Sequence, residues 1–280
     1  MRGPVGTLLL MVAAVQAVLG VLFALDVSWA VALFPFEGRT PLSNIFIGSI
    51  FLAAAASTWW AVAEGSRRAI AGIALDYIAI FAPFTIVAFL AASGAPADRA
   101  PALVAFGLST AVAILVGFWL LRWAIAVPWT DPRPLPAPVR AAFAVFILAL
   151  VPVGTALVVQ VPNILPWAVT PELSTLFGLM FLGAAAYFAF GLSDRRWENA
   201  GGQLAGFLAY DLVLALPFIT RLPTIDAALL PNLVLYTLVV VGSGILAFYY
   251  LVGHAPTRLR IRTRPGVSRP DDRPLPPEVA

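Results

Sequence analysis

Two aspartates differ from the other acidic residues because each lies well inside a long apolar stretch. Asp76 is followed by Tyr77, whereas Asp211 is preceded by Tyr210, so the two acid–tyrosine pairs run in opposite order. A carboxyl group in apolar surroundings, with no arginine or lysine in the same stretch, can serve as a neutral hydrogen-bonding group or carry a proton. These four residues are therefore the candidate polar site of the chain.

A proline follows each aspartate six or seven residues later. Pro83 lies in the same stretch as Asp76, and Pro217 lies in the same stretch as Asp211. A proline inside a helix removes one backbone hydrogen bond, so we expect helix kinks at both positions. Interrupted helices line the sites of transporters, but kinks also occur in helices that have no transport role.

The residue types that the chain lacks exclude several kinds of chemistry. All 17 basic residues are arginine, cysteine is absent, and the single histidine is His254. Thiol catalysis and disulfides need cysteine, a Schiff base needs lysine, and a metal or haem site built from histidines needs more than one. We therefore expect no catalytic residue, no metal site and no bound cofactor.

The apolar residues fall into blocks of about 20, a length that crosses a hydrocarbon layer roughly 30 Å thick. Hydrophobic residues make up 61% of the 280 residues and charged residues 11%. Backbone groups in lipid must bond within their own segment, so these blocks have to be helices. The sequence predicts an all-α, polytopic membrane helix bundle. The eight predicted spans are 5–25, 42–63, 69–92, 102–121, 141–160, 173–192, 202–220 and 232–252.

The predicted spans place the two aspartates within the bilayer and sort the arginines by side. Asp76 and Asp211 lie roughly 10 and 14 Å from the ends of the third and seventh spans. Fourteen arginines fall on the side of the two termini, and three, Arg39, Arg99 and Arg221, fall on the other. Short loops rich in arginine stay in the cytoplasm. We expect a multipass protein of the plasma (inner) membrane with both termini cytoplasmic.

The two halves of the sequence resemble each other at a shift of about 130 residues. Residues 40–41 align with 170–171 and Gly48 aligns with Gly178. A unit of four helices inserts the same way in both copies, so the pattern predicts two parallel four-helix repeats. The alternative is that duplication only supplies a larger stable bundle. The predicted units are residues 1–125, a cytoplasmic linker 126–137 and residues 138–253.

The last segment, residues 254–280, is rich in arginine and proline, which is typical of disorder. Arginines beside a membrane are attracted to anionic lipid headgroups by about 1 kcal/mol each. We predict contact with anionic lipids here and see no nucleic-acid-binding motif. The arginines concerned are Arg258, Arg260, Arg262 and Arg264.

Long aromatic loops follow the first and fifth spans. Each either rests on the outer surface of the bilayer or forms a lid over a cavity. The first loop contains Phe-Pro-Phe at 34–36 and Thr-Pro-Leu at 40–42, followed by Gly48 and an alanine-rich helix. This pattern resembles that of uncharacterised bacterial multipass membrane proteins. The second copy departs from it at Glu172, and the resemblance implies no function.

Three functions remain open. A transporter-like protein would use Asp76 and Asp211 as titrating groups between the halves. A non-enzymatic membrane scaffold or partner subunit would account for the few polar residues in the spans. An intramembrane aspartyl protease is a remote alternative, because Ala74 and Leu75 replace the expected motif before Asp76. We favour the transporter-like protein and expect no enzymatic activity.

Overall fold

The computed structural model describes residues 1, 3–36 and 40–259. These residues form eight long apolar helices and no β-strand, which confirms the predicted all-α class. Two short helical segments, Ser28–Val31 and Trp197–Asn199, lie in loops. The long helices are α1 (Pro4–Ala24), α2 (Pro41–Ala63), α3 (Ile70–Gly94), α4 (Ala100–Ile125), α5 (Ala137–Val158), α6 (Pro171–Leu192), α7 (Gly201–Arg221) and α8 (Leu230–Phe248), which continues into a π-helical turn at Tyr249–Gly253.

Proline and threonine fix the first turn of α2 and of α6. In each helix a proline occupies the first turn, where no intrahelical partner for its missing amide is needed. The Thr40 side chain accepts a hydrogen bond from the amide of Ser43 at 3.2 Å, and Thr170 accepts one from Leu173 at 3.4 Å. Such caps satisfy otherwise unpaired amides. The observed helices begin at Pro41 and Pro171, one and two residues before the predicted spans 42–63 and 173–192.

Large apolar side chains cover the outside of the bundle. Leu148 is 75% exposed, Leu212 70% and Leu115 69%. A contiguous surface of this kind is unfavourable in water but matches the hydrocarbon of a bilayer. The chain is an integral, multipass membrane protein, and its apolar helices contact lipid.

The helices pair in the same order in both halves. Helix α1 packs on α2 as α5 packs on α6, and α3 packs on α4 as α7 packs on α8. Across the halves, α2 packs on α7 and α3 packs on α6. A duplicated four-helix unit would give this arrangement, although the duplication and its boundaries stay predictions from the sequence.

Glycines allow the closest of these helix pairings. A Cβ on Gly48 would lie 2.6 Å from the carbonyl oxygen of Gly20, and a Cβ on Gly178 would lie 2.5 Å from that of Gly154. Lipid provides no hydrophobic drive between helices, so close backbone contact is a main source of packing energy. The two pairs occupy corresponding positions in α1–α2 and in α5–α6.

The core is divided into two apolar clusters. One contains Trp60 and Trp197 and lies at the end of the bundle that carries residues 126–137, which we term the linker end. The other contains Phe36, Phe46 and Trp167 and lies at the opposite end, beneath the loops after α1 and α5. The candidate site lies between the two clusters.

Candidate functional site

A cavity of about 340 Å³ lies in the middle of the bundle, between the two halves. All eight helices contribute to its wall, as does Phe34 from the loop after α1. The wall is mostly aliphatic and aromatic, with a small number of polar side chains. A volume near the lower end of the usual range of roughly 300–1,000 Å³ and a few polar groups on an apolar wall are typical of small-molecule sites.

The four residues of the predicted polar site all lie on this wall. Asp76 and Tyr77 reach the cavity from α3, and Tyr210 and Asp211 reach it from α7. Helices from different halves thus place both aspartates around one space. The sequence had indicated each pair, but it could not show that the two pairs share a cavity.

Pro83 and Pro217 do not belong to the cavity wall in the described structure. Both lie within helices that continue without interruption, α3 and α7. The kinks expected at these prolines stay predictions. A third internal proline, Pro152, lies in α5 and was not singled out from the sequence.

Asp76 is half-buried and lies beside α6, next to Gly183. A Cβ on Gly183 would lie 3.5 Å from Oδ1 of Asp76. That oxygen is buried and has no hydrogen-bond partner within the described part of the chain. Asp76 is also close enough to the phenol groups of Tyr77 and Tyr187 to act on both electrostatically.

Polar side chains that the sequence analysis missed lie on the same cavity wall as Asp76. The side-chain amide of Gln16 donates a hydrogen bond of 2.5 Å to the hydroxyl of Tyr77. Ser57 donates one of 2.8 Å to the carbonyl of Gly202 and so joins α2 to α7. Gln203 donates to the carbonyl of Tyr187. A search for every amide side chain within the spans would have found both glutamines.

Asp211 is more deeply enclosed than Asp76. It is 2% exposed, and neither of its carboxyl oxygens has a hydrogen-bond partner among residues 1, 3–36 and 40–259. It packs on α8 at Gly244, where a Cβ would lie 3.2 Å from the Asp211 Cβ. The neighbouring hydroxyl of Ser243 donates to the carbonyl of Val239 at 2.7 Å. The hydroxyl of Tyr236, also on the wall, is likewise buried without a partner in the described structure.

The cavity wall carries acids but, among its described residues, no base. Arg122, Arg140 and Arg221 belong to long helices but lie in their first or last turns. Within the described ranges, no group of three or more histidine, cysteine, aspartate or glutamate residues could hold a metal ion. The site can therefore balance a carboxylate charge only with a proton or with a cation that enters it.

Aromatic residues of the loop after α1 lie at the end of the bundle opposite the linker, and one of them, Phe34, lines the cavity. Phe34 and Phe36 are buried and both meet the ring of Phe106 edge to face, at 5.5 and 5.6 Å between ring centroids. Trp29 is 63% exposed and faces away from the core. Phe34 lies on the cavity wall and Trp29 lies on the surface, and the choice between a lid and a surface segment stays a prediction.

The proposed lipid-contact arginines fall mostly beyond the described structure. Arg258 is described and is exposed. Arg260, Arg262 and Arg264 lie outside the described residues, as does the tail that follows them. Contact with anionic lipids stays a prediction.

A second polar cluster, at the linker end, was not predicted. Glu198 is 2% exposed and accepts hydrogen bonds of 2.8 Å from the backbone amides of Thr130 and Asp131. Arg133 pairs with the carboxylates of Glu64 and Asp131. These contacts fix the linker against both halves of the bundle, and they suit a structural role because the carboxylate of Glu198 is already satisfied.

The fold and the cavity define a polytopic helical membrane protein with an internal, acid-containing cavity. No protein-family model, no curated protein and no solved structure matches the chain.

Proposed function

We propose that the protein is transporter-like, that it binds a small substrate in the central cavity, and that Asp76 and Asp211 are its titrating groups. One observation carries the proposal: both aspartates lie on the cavity wall with buried carboxyl oxygens that have no partner among the described residues. We propose no enzymatic reaction for this site.

The energetic cost of these unpaired groups supports a role in binding. Leaving a buried polar group without a hydrogen bond costs about 1–3 kcal/mol. At the linker end, the buried carboxylate of Glu198 has several donors. Around the cavity, the carboxyl groups of Asp76 and Asp211 lack such donors in the described structure. If the site exchanges a proton for a substrate, the two carboxyl groups gain an interaction partner only when the substrate is bound.

We further propose that the protein lies in the plasma (inner) membrane with its termini in the cytoplasm. The amino group of Met1 donates to the carbonyl of Val62, and the amide of Leu135 donates to the carbonyl of Arg195, so the arginine-rich loops meet at the linker end. Arg99 lies at the opposite end, where it pairs with Glu172. The positive-inside rule then favours a cytoplasmic linker end.

The absence of cysteine from the sequence permits a direct test of the cavity. Single cysteines would be introduced by Ala184→Cys on the cavity wall, Leu148→Cys on the lipid-facing surface and Ser193→Cys in the exposed loop after α6. Right-side-out and inverted membrane vesicles would be treated with a charged, membrane-impermeant thiol reagent. The reagent modifies a thiol only where water reaches it.

We expect Ala184→Cys to react from either side, because a transporter opens its site alternately to both. Ser193→Cys should react only in inverted vesicles, and Leu148→Cys in neither preparation. If Ala184→Cys is as unreactive as Leu148→Cys, the cavity is closed to water and the non-enzymatic scaffold or partner subunit is the better interpretation.

A further inference from the structure

We propose that the cavity takes up lipophilic monovalent cations from the bilayer, through a lateral opening between α5 and α8. This inference rests on the proposed transporter-like function and names its substrate class and entry route. Three sets of observations carry it: the exposure of certain wall residues, the packing of the helices and the chemistry of the wall.

Some residues of the cavity wall are at the same time on the lipid-facing surface. Leu235 and Val239 of α8 line the cavity and are 60% and 42% exposed. Ala149 of α5 also lines the cavity and is exposed. Among the described wall residues, only these three are exposed, so between α5 and α8 at most a single layer of side chains separates the cavity from lipid. We place the proposed opening at this thinnest part of the wall, between α5 and α8.

The packing of the helices agrees with this position. Helix α5 packs on α6 and α8 packs on α7, but α5 and α8 are not among the closely packed helix pairs of the described structure. In the other half, α1 and α4 contribute only Gln16 and Phe106 to the described wall, and neither residue is exposed. The opening thus belongs to the second half alone.

The chemistry of the wall selects a cation with an apolar body. Asp211 and Tyr210 lie on α7, which packs on α8, and Asp76 lies on α3 in the other half. Aromatic rings attract cations through their faces, and the wall carries the rings of Tyr236 and of Phe207, which lies one turn before Asp211 on α7. No described wall residue is basic, so an anion would meet only like charge. A strongly hydrated ion would not enter through hydrocarbon, whereas a lipophilic cation partitions into it.

The test uses two ions of the same shape and opposite charge. Full-length protein in lipid nanodiscs would be titrated with tetraphenylphosphonium and with tetraphenylborate, and empty nanodiscs would give the background partitioning. We expect saturable binding of the cation and none of the anion. Asp76→Asn and Asp211→Asn should each weaken cation binding by about tenfold or more, since each removes a buried countercharge.

Two controls separate loss of charge from loss of structure. Asp76→Glu keeps the negative charge at the less buried of the two aspartates, and this variant should retain cation binding. Asp194→Asn changes a loop carboxylate that pairs with Arg196 and should leave binding unchanged. Each variant would first be shown to elute as the wild type does in gel filtration.

The opening has its own matched pair of variants. Ala149→Trp places a large ring in the opening, whereas Leu148→Trp places the same ring on the adjacent lipid-facing position, which is 75% exposed. We expect Ala149→Trp to slow association of the cation by about tenfold and Leu148→Trp to leave it unchanged.

Three results would overturn the inference: equal binding of the two ions, cation binding that both asparagine variants retain, or no saturable binding of the cation. In each case a reactive Ala184→Cys would still support a transporter-like protein for another substrate. An unreactive Ala184→Cys together with no saturable binding of the cation would remove the transporter-like function itself. If Ala149→Trp and Leu148→Trp act alike, the substrate does not enter between α5 and α8.

Discussion

The hydroxyl of Ser66 donates a hydrogen bond of 2.5 Å to Oε1 of Glu198, across 132 residues of sequence. Ser66 follows α2 in the first half, and Glu198 precedes α7 in the second. The other carboxylate oxygen of Glu198 accepts from the linker amides of Thr130 and Asp131. One buried side chain therefore connects both halves and the segment between them.

Replacing Glu198 should weaken this connection. Glu198→Gln keeps the shape of the side chain but removes the charge and places an amide donor against groups that already donate. We expect a loss of about 2 kcal/mol in the free energy of unfolding. Asp194→Asn, in a half-exposed pair with Arg196, should lose less than about 1 kcal/mol. Reversible unfolding in detergent, followed by circular dichroism, would measure both; equal losses would contradict a linking role for Glu198.

Arg133 forms the second connection of the linker. It is 14% exposed, and it lies 2.7 Å from Oε2 of Glu64, which is 6% exposed. Burial by itself lowers the pKa of Arg133, but the hydrogen bond with Asp131 and the charge of Glu64 raise it above its usual value. The guanidinium is therefore charged at every pH at which the protein would be studied.

A double-mutant cycle should detect this pair. We expect Arg133→Met and Glu64→Gln to show a coupling energy of about 1–3 kcal/mol in detergent unfolding. The pair of Arg99 and Glu172 at the opposite end has a similar distance of 2.8 Å but greater exposure, 23% and 44%. Its cycle should give less than about 1 kcal/mol. If the coupling energy of Arg99 and Glu172 equals that of Arg133 and Glu64, burial does not determine the strength of these ion pairs.

Close helix contact at Gly178 provides a third prediction. Gly178→Ala would place a Cβ 2.5 Å from the carbonyl oxygen of Gly154 and force α5 away from α6. We expect a loss of about 1–3 kcal/mol. Gly242→Ala is the matched control, because a Cβ there meets no described atom within 4 Å. It should be neutral or slightly stabilising. Thermal unfolding of the two variants side by side would show whether α5 and α6 need this contact.

The aromatic loop after α1 should control access to the cavity. Phe34 is 6% exposed and lines the cavity, whereas Trp29 is 63% exposed. In the Ala184→Cys background, we expect Phe34→Ala to increase the labelling rate in right-side-out vesicles several-fold. Trp29→Ala should leave that rate unchanged. A rate that neither substitution alters would mean that the loop does not limit access.

Two glutamates show a limit of prediction from the sequence. Glu64 and Glu198 lie 134 positions apart, close to the shift of about 130 residues that aligns the two halves. The sequence alone gave no reason to single them out, because charged residues in loops are usually solvated. Their importance depends on residues 130–133, which reach them only after the bundle has formed.

The residues of the polar site were predictable from the sequence only in part. Asp76 and Asp211 stood out because an acid within an apolar stretch is costly, and that cost depends only on local composition. Gln16 and Tyr187 did not, because their part in the site depends on which helices lie beside α3. Their contacts join residues distant in sequence, so no local pattern reports them.

The sequence by itself determined the eight helices and which of their residues are acids in an apolar span, because backbone groups in lipid must pair locally and a span needs about 20 apolar residues. Only the tertiary structure decided which faces meet and that Asp76 and Asp211 share one cavity. The physical reason is that these helices are apolar on every side, so hydrophobicity does not select a partner. Close contacts at glycines such as Gly48 and hydrogen bonds such as that of Ser57 select it instead, and they exist only in the assembled bundle.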